Sequence, residues 1–141
     1  MKSILIIFFL FGLFNMTFAQ KMEVIISNIS NNKGVIRLAI YTNEKDFSEE
    51  KAFKLLTFSK EGMKNGQLTL SIDLPKDGIF GLSMLDDENE NAEMDYNFFG
   101  IPKEGYAFSN FFHTGYSMPE FNDFKFDASK VRKTYCKMRY L

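Results

Sequence analysis

Residues 67–75 read QLTLSIDLP, and the stretch alternates without a break. Leu68, Leu70, Ile72 and Leu74 share one parity, while Gln67, Thr69, Ser71 and Asp73 share the other. Successive side chains of an extended chain point to opposite faces, so this segment is a strand with one apolar and one solvated side. A helix would spread the same residues around its whole circumference. Pro75, which lacks the N–H a ladder needs, ends the strand.

The same period recurs on both sides of it. In GVIRLAIY (34–41), Ile36, Leu38 and Ile40 fall on one face and Arg37 on the other. KMEVIISNIS (21–30) is rich in β-branched residues and runs into NNKG (31–34), a turn composition, so the first two strands are expected to form a hairpin. PKDG (75–78) is expected to join the 67–74 strand to IFGLSML (79–85) in the same way. Near the end of the chain, Thr134, Cys136, Met138 and Tyr140 alternate with Lys133, Lys137 and Arg139. KLLTFS (54–59) adds a strand, and FNDFKFD (121–127) reads as a short one with Phe124 and Phe126 on one side. KDFSEEKAF (45–53) carries the one helical signal, a turn capped by Asp46 with Glu49 reaching back. Residues 96–115 show no alternation and are expected to form one long connection. About seven short strands without a long amphipathic helix predict an all-β fold, an antiparallel β-sandwich in a single domain spanning residues 20–141.

Residues 1–19 read as a cleaved signal peptide. Lys2 precedes an apolar run of eleven residues, Ile4 to Phe14, and Thr17-Phe18-Ala19 has the small residues a signal peptidase reads. That run is well short of the roughly 20 residues a membrane helix needs. No cysteine follows it to take a lipid anchor, so a secreted or periplasmic protein is expected, with no membrane span in the mature chain. Cys136 is the sole cysteine, which rules out an intrachain disulfide. The formal net charge of the whole chain is −1, and loss of Lys2 makes the mature chain one unit more negative. Such a balance excludes nucleic acid and anionic membrane as electrostatic partners.

The chemistry is concentrated in LDDENENAEMD (85–95), which holds six carboxylates. Its spacing is Asp87-x-Asn89-x-Asn91-x-Glu93-x-Asp95. Calcium takes six to eight oxygens at about 2.3–2.6 Å, and a loop coiled around the ion supplies them from alternate residues. Asp87, Asn89 and Asn91 would offer side chains, Glu93 its carbonyl, and Asp95 its carboxylate directly or through water. Two places depart from the complete motif. Ala92 stands where glycine permits a left-handed backbone, at a cost on the order of 1 kcal/mol. Phe98 stands where a bidentate glutamate closes an EF-hand shell. A weak calcium site is expected, roughly 0.1–1 mM, against the alternative of a solvated acidic hairpin tip.

Next to this loop lies FFGIPKEGYAFSNFF (98–112). Its rings, Phe98, Phe99, Tyr106, Phe108, Phe111 and Phe112, either present a surface to a peptide or glycan or cap one open end of the sandwich. Lys103 and Glu104 read as a surface ion pair, and Asn110 as a side chain that holds the loop by bonding to backbone. His113 is the only histidine, too few for a usual zinc site. Cys136 reads as a small core residue and not a nucleophile. The carboxylates of Asp86, Asp87 and Asp95 leave a glycosidase-like pair open by residue type alone.

The order of motifs resembles a family. GVIRLAIY is followed by DLPKDGIF (73–80), DENENAEMD (87–95), FGIPKEGYAFSN (99–110) and PEFNDFKF (119–126). This is similar to the secreted bacterial proteins catalogued as domain of unknown function 2141, across essentially the whole mature chain. The resemblance implies an immunoglobulin-like or transthyretin-like sandwich in an exported protein, and it implies no reaction. In that family a glycine usually follows the second asparagine; Ala92 departs from it, which lowers the ion affinity expected here. The expected function is a non-catalytic exported module with a calcium-stabilised acidic loop beside an aromatic binding loop, its partner a peptide, glycan or envelope protein. The alternatives are a small hydrolase using the loop carboxylates and a structural subunit of a cell-envelope assembly.

Overall fold

The computed structural model describes residues 18–141. The expected signal peptide therefore lies outside the described residues except for Phe18 and Ala19. Eight strands and two short helices follow in the order β1 (Ala19–Ser27), β2 (Val35–Tyr41), α1 (Glu44–Ser48), β3 (Lys54–Ser59), β4 (Leu68–Pro75), β5 (Ile79–Asp87), β6 (Gly105–Phe108), α2 (Phe121–Phe124), β7 (Phe126–Asp127) and β8 (Lys133–Lys137). One sheet has the order β4-β1-β8 and the other β3-β2-β5-β6, with β7 also pairing β5. All pairs are antiparallel except β1 with β8, which is parallel. The expected all-β sandwich is thus the observed architecture. Among the described residues no helix is long and apolar enough to cross a membrane.

The alternating faces pack as their period requires. Met22, Val24 and Ile26 of β1, Leu68, Leu70, Ile72 and Leu74 of β4, and Cys136 of β8 form one wall of the core. Ile36, Leu38 and Ile40 of β2 with Leu82 and Met84 of β5 form the other. Burial of these aliphatic side chains at about 25 cal/mol per Å2 supplies most of the drive to fold. Burial also pushes the Cys136 thiol up to about 12, so it sits in the core as an inert thiol.

Two expected hairpins are absent. β1 and β2 lie in different sheets, as do β4 and β5, so NNKG and PKDG carry the chain across the sandwich. Sheets pack about 10 Å apart, a gap three extended residues can span, so a turn signal fits either connection. Within 96–115 the chain also forms β6, contrary to the expected unbroken connection.

The helical pieces differ in detail. Asn43, not Asp46, caps α1, its side chain accepting from the Asp46 N–H at 2.8 Å. FNDFKFD is not one strand but the helical turn α2 followed by β7, so Phe124 and Phe126 face different layers. Phe126 enters the main core. Phe124 joins Tyr41, Phe47, Phe108 and Phe121 in an aromatic layer on the outer face of the second sheet. Glu44 ties the two helices together by accepting from the Phe121 N–H at 2.6 Å. Gly81 makes this layer possible, since a Cβ there would lie 2.5 Å from the Phe124 ring.

One end of the main core is polar. Asp86 is fully buried between the sheets and forms an ion pair with Lys60, itself buried. Its other oxygen accepts from the Tyr140 hydroxyl at 2.6 Å, and that hydroxyl accepts from the Ser30 N–H at 3.0 Å. Burial, reinforced by Asp86, pushes Tyr140 up to about 12, which keeps it a donor at any physiological pH. Lys60 also donates to the carbonyls of Asn31 and Lys33, so its ammonium is well satisfied. Removing one partner of such a pair strands a charge in low dielectric. Lys60→Met is therefore expected to lower stability by about 3–5 kcal/mol in urea unfolding. Lys60→Met combined with Asp86→Leu should recover most of that loss.

Candidate functional site

β5 ends on Asp86 and Asp87, and the period of the strand sends them to opposite faces. Asp87 points to the outer face of the second sheet, where Val35 is its direct neighbour and Arg37 its diagonal one. The Arg37 Nε donates to Asp87 Oδ2, and Arg37 is steadied by donating to Thr57 Oγ1 at 3.3 Å. The same carboxylate takes the N–H of Asn91 at 3.1 Å and of Ala92 at 2.9 Å. Asp87 therefore anchors the following loop by its backbone. Burial pushes its carboxyl up, but Arg37 and the two amides outweigh that and hold it below the usual carboxylate range.

The loop coils from this anchor. Asn89 Oδ1 accepts from the Asn91 N–H at 3.1 Å, and Asn91 Oδ1 from the Glu93 N–H at 2.9 Å. The side-chain amides of Asn89 and Asn91 both donate to Asp95 Oδ2, at 2.6 and 3.2 Å. Ala92 has φ +69°, the left-handed conformation expected at the place where glycine is usual, and Glu90 has φ +60°. Asn89, Asn91 and Asp95 are thus brought to one point. Asp87 is tied to the same turn through its amide contacts, while Glu93 lies on the exposed rim. Among the described residues no three His, Cys, Asp or Glu side chains are grouped so as to hold a metal. Any ion here would rest chiefly on amide and single-carboxylate oxygens.

Glu104 was expected on the surface beside Lys103, and it is buried instead. One oxygen accepts from the Glu88 N–H at 3.0 Å and the other from the Asp95 N–H at 3.3 Å, so a single carboxylate pins both ends of the loop. Glu88 in turn accepts from the Asn31 side chain at 2.9 Å. Neither role has a sequence signal, because both depend on which backbone amides the loop leaves unpaired.

Beyond the loop the chain rises into a narrow finger. Lys103 N–H donates to Asp95 carbonyl at 2.8 Å, Tyr96 bridges Pro102, and Asn97 N–H donates to Ile101 carbonyl at 2.9 Å. Asn97 Oδ1 accepts from both Phe99 and Ile101 N–H groups, at 2.9 and 3.0 Å, and closes the tip. Gly100, at φ +74°, supplies the turn. Phe98 and Phe99 stand at this tip, 97 % and 82 % exposed, their rings edge to face at 5.5 Å.

The other four expected binding-loop rings sit elsewhere. Phe108 is buried in the aromatic layer against Phe47 and Phe124, so it is a core residue and not a presented ring. Tyr106 and Phe111 are half-buried against the same layer. Phe112 is partly exposed beneath the Lys137 ammonium, 4.9 Å from its ring centre. His113 packs edge-on to Phe108, its Nε2 at the Ser117 carbonyl. Asn110 bonds to backbone as expected, accepting from the Tyr135 N–H at 2.9 Å.

Two outcomes test the anchors. A carboxyl whose folded pKa is depressed adds stability above its unfolded value, about 3.9, and loses it as pH falls through the folded value. The Asn91 and Ala92 amide proton shifts should therefore titrate with a midpoint below the ordinary aspartate range, and Asp87→Asn should abolish that transition in NMR. Ala92→Gly should relieve the left-handed alanine and raise stability by roughly 1 kcal/mol in urea unfolding.

Comparison with known proteins adds one result to this geometry. A family model described as "Uncharacterized protein conserved in bacteria (DUF2141)" matches residues 24–135, from within β1 to within β8. Neither the curated proteins nor the solved structures give a match. The matched span includes every residue of the acidic loop and of the finger. The chain belongs to the DUF2141 family of bacterial proteins.

Proposed function

We propose that the protein is a non-catalytic, exported binding module whose contact element is the Phe98–Phe99 finger. One observation supports this above all: two large apolar rings stand in solvent on a turn closed by hydrogen bonds from the Phe99, Gly100 and Ile101 N–H groups to Asn97. Rings fixed in advance lose little conformational entropy on docking, which favours their use as anchors in a partner's groove. The partner is a peptide, a glycan or an envelope protein. The divergence of Asp86 and Asp87 to opposite faces supports a binding role over one in which these two carboxylates share a substrate.

The acidic loop supports the finger, and calcium is its proposed ligand. Rotation of the Asn89 and Asn91 amides would turn their oxygens toward Asp95 and give three donors about one centre. Left-handed Ala92 favours the same coiled path. A site of this kind is weak, roughly 0.1–1 mM, and the ion would stiffen residues 87–95 beneath the finger.

Two measurements test the reading. Calorimetric titration should give calcium binding in the millimolar range that Asp95→Ala abolishes; no heat at 5 mM (a concentration chosen from the roughly millimolar range of such sites) would remove the ion. A photo-crosslinking side chain placed at Phe98 in the producing cell should capture a discrete partner, with the same group at exposed Lys130 as control. Equal, diffuse labelling from both positions would exclude the finger as a contact element.

A further inference from the structure

The sandwich has four lateral edges, and they are treated differently. β6 is joined to the segment just after β8, since Tyr106 and Arg139 exchange both backbone hydrogen bonds at 3.0 and 2.8 Å. Asn110 covers the middle of the β8 edge by pairing with Tyr135 through its N–H and its side chain. β4 is blunted: it ends in Pro75 and carries Asp73, bridged to Lys21 at 2.9 Å. Proline and charge are the usual devices that stop a strand from recruiting another.

β3 has no proline, and its one charge, Lys54, stands at its first residue. It is the terminal strand of its sheet, and among the described residues it pairs only with β2. Its central residues, Leu55 to Phe58, contain no proline and no charge. Leu55 projects from the outer face 74 % exposed, and Phe53 just before the strand is also exposed. The aromatic layer that covers the outer face of this sheet does not reach them.

We infer that this edge takes the β3 strand of a second copy of the chain, in antiparallel register about a two-fold axis at Leu56. The geometry of pairing selects that register. Residues opposite one another in a sheet share a face, so a two-fold axis normal to the sheet must pass through a residue and not between residues. At Leu56, Leu55 lies opposite Thr57 on the outer face, Lys54 opposite Phe58 on the inner face, and no like charges meet. At Thr57, Lys54 would lie opposite Lys60 and Leu55 opposite Ser59. At Leu55, the overlap within the strand shrinks to residues 54–56. The Leu56 and Thr57 registers each keep five strand residues, 54–58 and 55–59, and of the two only the Leu56 register covers Leu55 with the Thr57 methyl. Two four-stranded paths then become one continuous sheet, and every free backbone group along Lys54–Phe58 gains a partner.

Sedimentation equilibrium of the purified protein from 1 to about 300 μM (a range that brackets typical weak dimers) should show a monomer–dimer transition. Leu55→Glu with Thr57→Glu places carboxylates opposite one another at two exposed positions. The doubly substituted chain should keep its circular dichroism and melting transition yet associate at least ten-fold more weakly. Leu55→Cys and Thr57→Cys chains should each remain uncrosslinked alone and form a mixed disulfide when combined under mild oxidation, Cys136 being buried. A monomer at every concentration overturns the proposal, as does a dimer indifferent to both glutamates. A disulfide formed by Leu55→Cys alone overturns the register.

Discussion

The structure depends on two neighbouring carboxylates that a strand's pleat drives apart. Asp86 is turned into the space between the sheets, where Lys60 and Tyr140 receive it. Asp87 is turned outward, where Arg37 and two loop amides receive it. Both are fully buried, and a buried charge is tolerable only when its partners are fixed. Those partners come from distant points of the chain. Lys60 follows β3, Tyr140 lies near the C-terminus, and Arg37 stands in the middle of β2. The last two residues of β5 therefore demand that the sheets, the C-terminal segment and the loop all be in place together. Slipping β5 by one residue would exchange the two environments and strand both charges.

From this junction the site inherits its rigidity. The loop does not fall back on the sheet because its backbone N–H groups are taken by side-chain oxygens: Asp87, Asn89, Asn91 and Glu104 each accept at least one. The finger continues the device, with Asn97 accepting two. Much of the negative charge in residues 85–95 is thus spent inside the molecule as hydrogen-bond acceptors. Glu90 and Glu93 alone among its carboxylates face fully into water. The concentration of acids beside so many rings is explained to that extent by the loop's own need for acceptors.

Faces were legible in the sequence, and partners were not. Period-two alternation placed Leu68 to Leu74, Ile36 to Ile40 and Cys136 on the core side, because burial on one face leaves a local imprint. The same alternation is silent on which strand lies next to which. A strand followed by Asn and Gly fits a hairpin or a crossing between sheets equally well, hence the two misplaced hairpins. Ala92 was legible because left-handed geometry follows from the coiling of an alternating-ligand loop. Glu104 was not, since its neighbour Lys103 suggests a surface pair, and its burial follows from where the 87–95 loop closes. Phe108 and Phe98 are indistinguishable by composition. One continues a strand whose outward face is roofed by α1 and α2, and the other follows Asn97, whose side chain forces a tight turn into solvent.

The internal use of acceptors also bears on how an ion would be held. Asn89 and Asn91 each already employ their oxygen on a backbone N–H, and their amide nitrogens on Asp95. Turning those oxygens toward a cation breaks the contacts at both ends of each amide, at a net cost near 1 kcal/mol for every hydrogen bond exchanged. Asp87 is held by Arg37, so its charge is partly neutralised before any ion arrives. A cation would therefore compete with contacts the loop already makes. That separates the finger's posture, which rests on Glu104, Asp87 and Asn97, from the loop's affinity for an ion. Phe98 and Phe99 are thus placed by hydrogen bonds made within the chain, from the buried Glu104 at the base of the finger to Asn97 at its tip.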